Sequence, residues 1–418
     1  MKKFLLAFVG LTVGAAFAKP LVSNVAVTFN ETTRLVTVDY GLNEPAIVLA
    51  RFYNGTEAIA PESVKSLVGD VNRLVEKTSG CRLFWNVGAD LPETAFAANA
   101  LKVEFKLYAK SSPPKFMVVD LAVRKSVRYY DTLEEVPGGL GKDSSDLNRT
   151  RYVVFRRIPA TGIEFAMGSP TIEKGRDGSD ENRVLVTIPY DYYMSVYTLT
   201  QAQHDLFDKS GAKGNYTTYD DSPLYPLTGY SYNALRGSSS GDGIDWPNTG
   251  TNVAPNSLLG KFRAYTGVPV DSPTEAEWEF AARGGYGSSL PDGRDFTNPG
   301  SAGGANEMEW GWVKQNIINV YGDPKPIHPG PVGQFKANRF NLYDVIGNPY
   351  ECARDWYVAD RATLSGEALY KGPTSGANRV HRAGTCFWNA QHARLATREA
   401  VGVAQGSDHA VRLVVPLN

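Results

Sequence analysis

Apolar residues near the start of the chain recur at every second position. Val25, Val27 and Phe29 in Asn24–Asn30, and Val36, Val38 and Tyr40 in Arg34–Tyr40, place β-branched or aromatic residues at every second position, which predicts two strands with a polar turn between them. Ala46–Tyr53 is a third strand and ends on Asn54-Gly55, a hairpin signal. Cys81–Val87 and Leu101–Ala109 supply two more, and this spacing predicts a small β-sandwich of immunoglobulin or fibronectin type over 19–110. Val64, Leu67, Val68, Val71, Leu74 and Val75 instead recur with helical period, so that stretch reads as a short helix or an irregular crossover. Ser111-Ser112-Pro113-Pro114 breaks the pattern. With a strand at Phe116–Val123 and a loop from Pro137-Gly138-Gly139, 111–149 is expected to connect to a second domain over 150–418.

Caps mark the helices of that second domain. Thr200-x-x-Gln203 is a capping box ahead of Leu206 and Phe207, with Gly211 as its stop. Asn256 is expected to cap Ser257–Thr266, which puts Leu258, Leu259, Phe262 and Tyr265 on one side and is closed by Gly267. Pro273 and the box Thr274-x-x-Glu277 start a third helix, with Ala276, Phe280 and Ala281 inward and Gly284-Gly285 ending it. The Glu and Gln of these boxes read as caps, and Trp278 as core. Gly211–Pro255 and Gly285–Gly330 are long and rich in Gly, Ser, Asn and aromatics, as functional loops are. Few helices, several strands and much loop make the class α+β.

One stretch stands apart, Ala337–Tyr357. Phe340, Leu342, Val345 and Ile346 surround Asp344 and Glu351, with the turn Gly347-Asn348-Pro349 between the two acids. Glycine permits backbone conformations closed to other residues and proline fixes φ, so this is a buried turn that aims carbonyls and carboxylates inward. Such oxygens converging on one point suit a hard cation.

The formal net charge of −1 over 418 residues, with no basic cluster, argues against nucleic acid or an anionic membrane as partner. Lys2-Lys3, an apolar run from Phe4 to Phe17 and the small-x-small site Ala16-Phe17-Ala18 read as a signal peptide over 1–18, with Lys19 first in the mature chain. No later stretch is apolar for the length of a membrane span, so the expected destination is the periplasm or the exterior. Three cysteines, Cys81, Cys352 and Cys386, enter a compartment where disulfides persist, and an odd count leaves one over. His204, His328, His381, His392 and His409 are scattered and read as surface or core hydrogen bonding rather than a transition-metal centre.

Six segments in order carry a resemblance: Phe165-Ala-Met-Gly-Ser169; Asp191-Tyr-Tyr-Met-Ser-Val-Tyr-Thr-Leu-Thr-Gln201; Pro273-Thr-Glu-Ala-Glu-Trp-Glu-Phe-Ala-Ala-Arg-Gly-Gly285; Asn338 to Tyr357; Arg382-Ala-Gly-Thr385; and Ala410-Val-Arg412. Tyr152–Asn418 thereby resembles the formylglycine-generating enzyme, or sulfatase-modifying factor, family, which implies a C-type-lectin-like fold. Members that oxidise a sulfatase cysteine hold copper(I) between two thiolates, soft ligands for a soft ion. Counting from Arg382 puts that pair at Trp388 and Ala393, and counting back from Arg398 puts it at Asn389 and Arg394. Neither register holds a cysteine, so copper is not expected; Cys386 is the only thiol nearby. A second branch depends on iron held by histidines of an added helical domain, whereas the added domain here is β-rich and contains none.

The resemblance also implies a structural calcium, held by the side chain of Asp344, the carbonyls of Gly347 and Pro349 and the carboxylate of Glu351. The competing reading has Asp344 capping the turn and Glu351 paired with an arginine such as Arg354 or Arg382. Cys352 and Cys386 stand where the family has aromatics, in segments expected to neighbour each other, which suggests a Cys352–Cys386 disulfide, with Cys81 buried in the sandwich. The leading expectation is an exported, non-oxidase member whose loops hold a peptide or glycan, lined by Tyr230, Tyr232, Arg236, Trp246, Trp310, Trp312, Trp388, Asn389 and Arg394. The alternatives are an oxidoreductase that makes formylglycine, or performs a related oxidation, at an atypical site using Cys386, and a structural or adhesive surface protein.

Overall fold

The computed structural model describes residues 19–96, 100–209, 222–237, 244–295, 309–314, 328–406 and 409–417. The signal peptide expected over 1–18 and the stop expected at Gly211 lie outside them. Two compact units divide the chain: one takes the residues up to Phe116 together with Val127–Pro137, the other Met117–Ser126 together with everything from Gly138.

In the first unit the period-two stretches are strands: β1 (Val22–Asn30), β2 (Leu35–Leu42), β3 (Ala46–Asn54), β4 (Glu57–Ala58), β5 (Val68–Gly69), β6 (Arg73–Val75), β7 (Cys81–Asn86) and β8 (Leu101–Tyr108). They form one sheet in the order β1–β2–β7–β5 and another in the order β4–β3–β6, with β8 on β3. Antiparallel register sets Val36 opposite Trp85, Val38 opposite Leu83 and Tyr40 opposite Cys81. Successive side chains alternate between faces, so all six point into one core, which Ala46, Val48 and Phe52 of the other sheet also enter. Val64–Val75 is no helix. Val68 lies in β5 and Leu74 and Val75 in β6, while Val64, Leu67 and Val71 fall between elements; Leu67, Val71 and Val75 reach the core from this irregular crossover, where strand pairing outweighs helical spacing. A short helix α1 (Val87–Asp90) follows β7.

β9 (Phe116–Asp120) carries the chain into the second unit, and β10 (Ser126–Tyr130) returns it to the first. Then come α2 (Leu147–Thr150), β11 (Tyr152–Ile158), β12 (Glu164–Met167), β13 (Val184–Thr187), β14 (Tyr192–Ser195), α3 (Gln201–Phe207), α4 (Tyr232–Arg236), α5 (Leu258–Thr266) and α6 (Glu275–Arg283). β15 (Tyr350–Trp356), α7 (Ala368–Lys371), β16 (Asn378–Arg382), β17 (Glu399–Gly402), β18 (His409–Ala410) and β19 (Val414–Pro416) complete it. One sheet runs β9–β11–β14–β19 and another β17–β16–β15–β18.

Both capping boxes form, on Thr200 with Gln203 and on Thr274 with Glu277. α5 is capped by Ser257 rather than Asn256: the Ser257 hydroxyl accepts the Gly260 N–H at 3.1 Å, while Asn256 is exposed. α4, capped by Ser231, lies inside the stretch expected to be loop. Gly267 and Gly284 end α5 and α6 in the left-handed region, at φ 75° and 60°.

Candidate functional site

α6 is the hub of the second unit. Its apolar face, Ala276, Phe280 and Ala281 with Trp278, packs on Tyr192, Met194, Leu342, Val345, Ile346 and Val414. Its three glutamates are buried as well, and each meets arginine. Arg354 bonds Glu277 at 3.0 Å and Asp271 at 3.0 Å; Arg382 bonds Glu275 at 2.7 Å and Glu279 at 2.6 Å; Arg398 bonds Glu275 at 2.5 and 2.9 Å. Burial alone would raise the Glu275 carboxyl, but Arg398, Arg361 and Arg382 override it and hold the group far below the usual range. The segment Pro273–Arg283 is thus a charged lattice that fixes the core, and its carboxylates are saturated by their partners.

Against this lattice sits the turn between Asp344 and Glu351. Asp344, Gly347 and Asn348 all take positive φ (54°, 69° and 60°), and a Cβ at Gly347 would stand 2.0 Å from the Trp312 carbonyl oxygen, so only glycine fits. The turn is tied down by Gly347 N–H to Ala383 O and Asn348 N–H to Trp312 O, both 2.7 Å. Glu351 is paired with an arginine, though not with Arg354 or Arg382. Arg412 grips it bidentately at 2.8 and 2.6 Å, and the Trp278 indole donates to it at 2.6 Å. Arg354 and Arg382 are already committed to the acids of α6 and to Asp271, which leaves Arg412 as the guanidinium beside Glu351.

Asp344 is different. Its Oδ2 accepts the Gly333 N–H at 2.7 Å, while Oδ1 is buried with no hydrogen-bond partner. Burial, reinforced by nearby Glu351, pushes its carboxyl up to about 7 against the opposing pull of Gly333 N–H and Arg412. Among the described residues no three His, Cys, Asp or Glu side chains converge as a metal-ligand group, so this turn offers two carboxylates and backbone oxygens only.

Past β16 the chain turns back on itself. Ala383 and Gly384 both have positive φ (75° and 68°), and a Cβ at Gly384 would lie 2.2 Å from the His392 carbonyl oxygen. Asn348 O accepts the Cys386 N–H at 2.6 Å, which joins this loop to the turn just described. Cys386 packs under it with Trp312, Phe335 and Phe387. At the other end Arg394 is buried on Glu181 (2.8 Å) and Glu173 (2.6 Å). Between these anchors Trp388 stands 53% exposed, its ring 5.7 Å from that of His392. Ile172, one residue before Glu173, is 89% exposed.

The expected Cys352–Cys386 disulfide is not formed; all three cysteines are buried thiols outside any disulfide. Register explains why: Cys352 lies opposite His381, whereas Cys386 has left the strand and entered the Trp312 cluster. Cys81 is buried in the first unit's core, as expected.

The residues expected to line a pocket go to several places. Tyr232 and Arg236 are buried in α4, with Arg236 bonded to Asp271 at 2.7 and 2.9 Å. Trp246 is buried, donates to Lys371 O at 2.7 Å and lies 4.1 Å from the Arg354 guanidinium. Trp310 is core and Trp312 bonds Pro331 O at 3.1 Å. Tyr230 is half-buried, its hydroxyl 3.0 Å from His204 Nε2. Asn389 is half-buried beside exposed Trp388, and Arg394 beneath them is occupied by two glutamates. Arg412 belongs to the Ala410-Val-Arg412 segment, but nothing in the sequence names its partner, and nothing marks Ile172.

The sulfatase-modifying factor enzyme 1-like domain model matches residues 160–416, and the chain belongs to that family. It is 32% identical to the mouse formylglycine-generating enzyme over 123 residues, 27% of this chain and 29% of that one. With the formylglycine-generating enzyme of Thermomonospora curvata it shares 32% over 126 residues, 27% of this chain and 37% of that one. These alignments span well under half the length of either relative. The solved structure of PvdO from Pseudomonas aeruginosa superposes on 66% of this chain and 98% of its own, at TM-score 0.49 and 22% identity.

Proposed function

We propose that this is an exported, non-oxidase member of the family that presents the Trp388 loop to a peptide or glycan ligand, with the first unit, a small β-sandwich, as a spacer. One observation carries the reading: an exposed tryptophan stands on a loop pinned at both ends, at a position where the resemblance puts a copper thiolate. A large aromatic face held in place costs little ordering on binding, which is what a recognition site needs. The one thiol nearby, Cys386, is buried under the loop.

Calcium fits the turn below. Asp344 Oδ1 is a buried acceptor with no donor, and a cation would let that carboxyl ionise; the Gly347 and Pro349 carbonyls and Glu351 would complete the set, with Arg412 already on Glu351. In this role the ion holds the turn that accepts the Cys386 N–H, and so supports the loop.

The test is a peptide and glycan array probed with the protein and with Trp388→Ala. Saturable binding lost in the variant, with unchanged thermal stability, is the expected result. Incubation with copper(I), oxygen and a sulfatase-type cysteine peptide should give no aldehyde. Aldehyde formation that disappears in Cys386→Ser would overturn the reading.

A further inference from the structure

Among the described residues of the first unit, β1 is a long strand paired on one side only. β1 is the outer strand of its sheet and is hydrogen-bonded to β2. Unpaired N–H and C=O groups along such an edge are a template for another strand, and proteins usually blunt them with short strands or charge. The other edges here follow that rule: β4 and β5 have two residues each, and β8 carries Lys102, Glu104 and Lys106. β1 does not. Its nine residues, Val-Ser-Asn-Val-Ala-Val-Thr-Phe-Asn, include neither a charge nor a proline. Val27 lies opposite Val38, which is fully buried, yet Val27 itself is 39% exposed and Val25 43%.

We propose that β1 pairs antiparallel with β1 of a second copy of this chain, which joins two four-stranded sheets into one. A register irregularity between Ser23 and Ala26 confines regular pairing to Ala26–Asn30. A two-fold axis at Thr28 then sets Thr28 against Thr28 and Val27 of one copy against Phe29 of the other, an aromatic and β-branched pair on the core side. Charge selects this occupant. A strand with no charge meets its own copy without repulsion and offers nothing to attract an acidic or basic peptide, and a two-fold contact closes on itself rather than propagating.

Thr28 is exposed, so its substitution leaves the core alone. Like charges directly opposite each other destabilise a strand pair, and opposite charges support it. Sedimentation velocity on the mature chain should show a dimer; Thr28→Lys and Thr28→Glu should each weaken dimerisation at least tenfold, and an equimolar mixture of the two should restore it. Circular dichroism checks that each variant is folded. A monomer at every concentration, a dimer insensitive to both variants, or a mixture that stays monomeric would overturn the proposal. So would a wild-type dimer in which hydrogen exchange protects some surface other than β1. None of these outcomes depends on what Trp388 binds.

Discussion

Asp344→Asn is the substitution that most directly tests the buried turn. Asp344 is 1% exposed, and burial raises its carboxyl from 3.8 to about 7. Between those values the folded protein keeps a proton that the unfolded chain has released, so folding stability falls as pH rises through that window and levels off above it. At 1.36 kcal/mol for each pKa unit, the loss amounts to about 4 kcal/mol, a large fraction of the roughly 5–15 kcal/mol that typical domains possess. Asparagine removes the ionisation, retains an oxygen for the Gly333 N–H and tolerates the positive φ of 54°. Bound calcium acts in the opposite sense by stabilising the ionised form; at about a thousand times its Kd it contributes about 4 kcal/mol and cancels the loss. Urea unfolding followed by tryptophan fluorescence from pH 4.5 to 8, with chelator or calcium, measures both effects. The wild-type minus variant difference should slope downward with pH in chelator and flatten in calcium, and the variant should ignore the ion. Parallel wild-type and variant profiles in chelator would refute the argument about burial. A wild-type slope that calcium leaves unchanged would refute the cation.

Arg382→Met removes a guanidinium shared by two buried carboxylates, Glu275 and Glu279, and should lower stability by about 3 kcal/mol in urea unfolding; a loss below about 1 kcal/mol would mean that Arg398, Arg361 and Arg283 suffice for both. Ala383→Gly should stabilise by about 0.5–1 kcal/mol, since alanine at φ 75° pays a left-handed penalty that exceeds the value of its buried methyl; a destabilised variant would contradict that balance. Alkylation of the unreduced protein in denaturant should modify all three cysteines, read by mass spectrometry. Under native conditions Cys352 should stay unmodified, because burial pushes its thiol up to about 12. A protected pair in denaturant would restore the disulfide.

Local signals were readable where one short stretch carries the whole cause. The alternation of β1, β2 and β7, the boxes on Thr200 and Thr274 and the glycine stops of α5 and α6 are each settled by residues within a few positions of one another. The choice of Ser257 over Asn256 as a cap shows the limit of that method, since two adjacent candidates differ only in which oxygen reaches the Gly260 N–H. Partners distant in sequence were not readable. The reading that competed with calcium paired Glu351 with an arginine such as Arg354 or Arg382; it meets Arg412, 61 residues away, because the nearer arginines are drawn to α6 by acids whose own positions depend on packing.

From its residues alone the chain declared its two kinds of period, its helix ends and a turn that had to enclose charge. Tertiary structure decided which carboxylate is paired and which is left with a bare oxygen, which cysteines are near each other, and which one of the expected aromatics reaches solvent. Each of those outcomes depends on a buried charge or ring finding its neighbour across the fold, and no single segment contains both members.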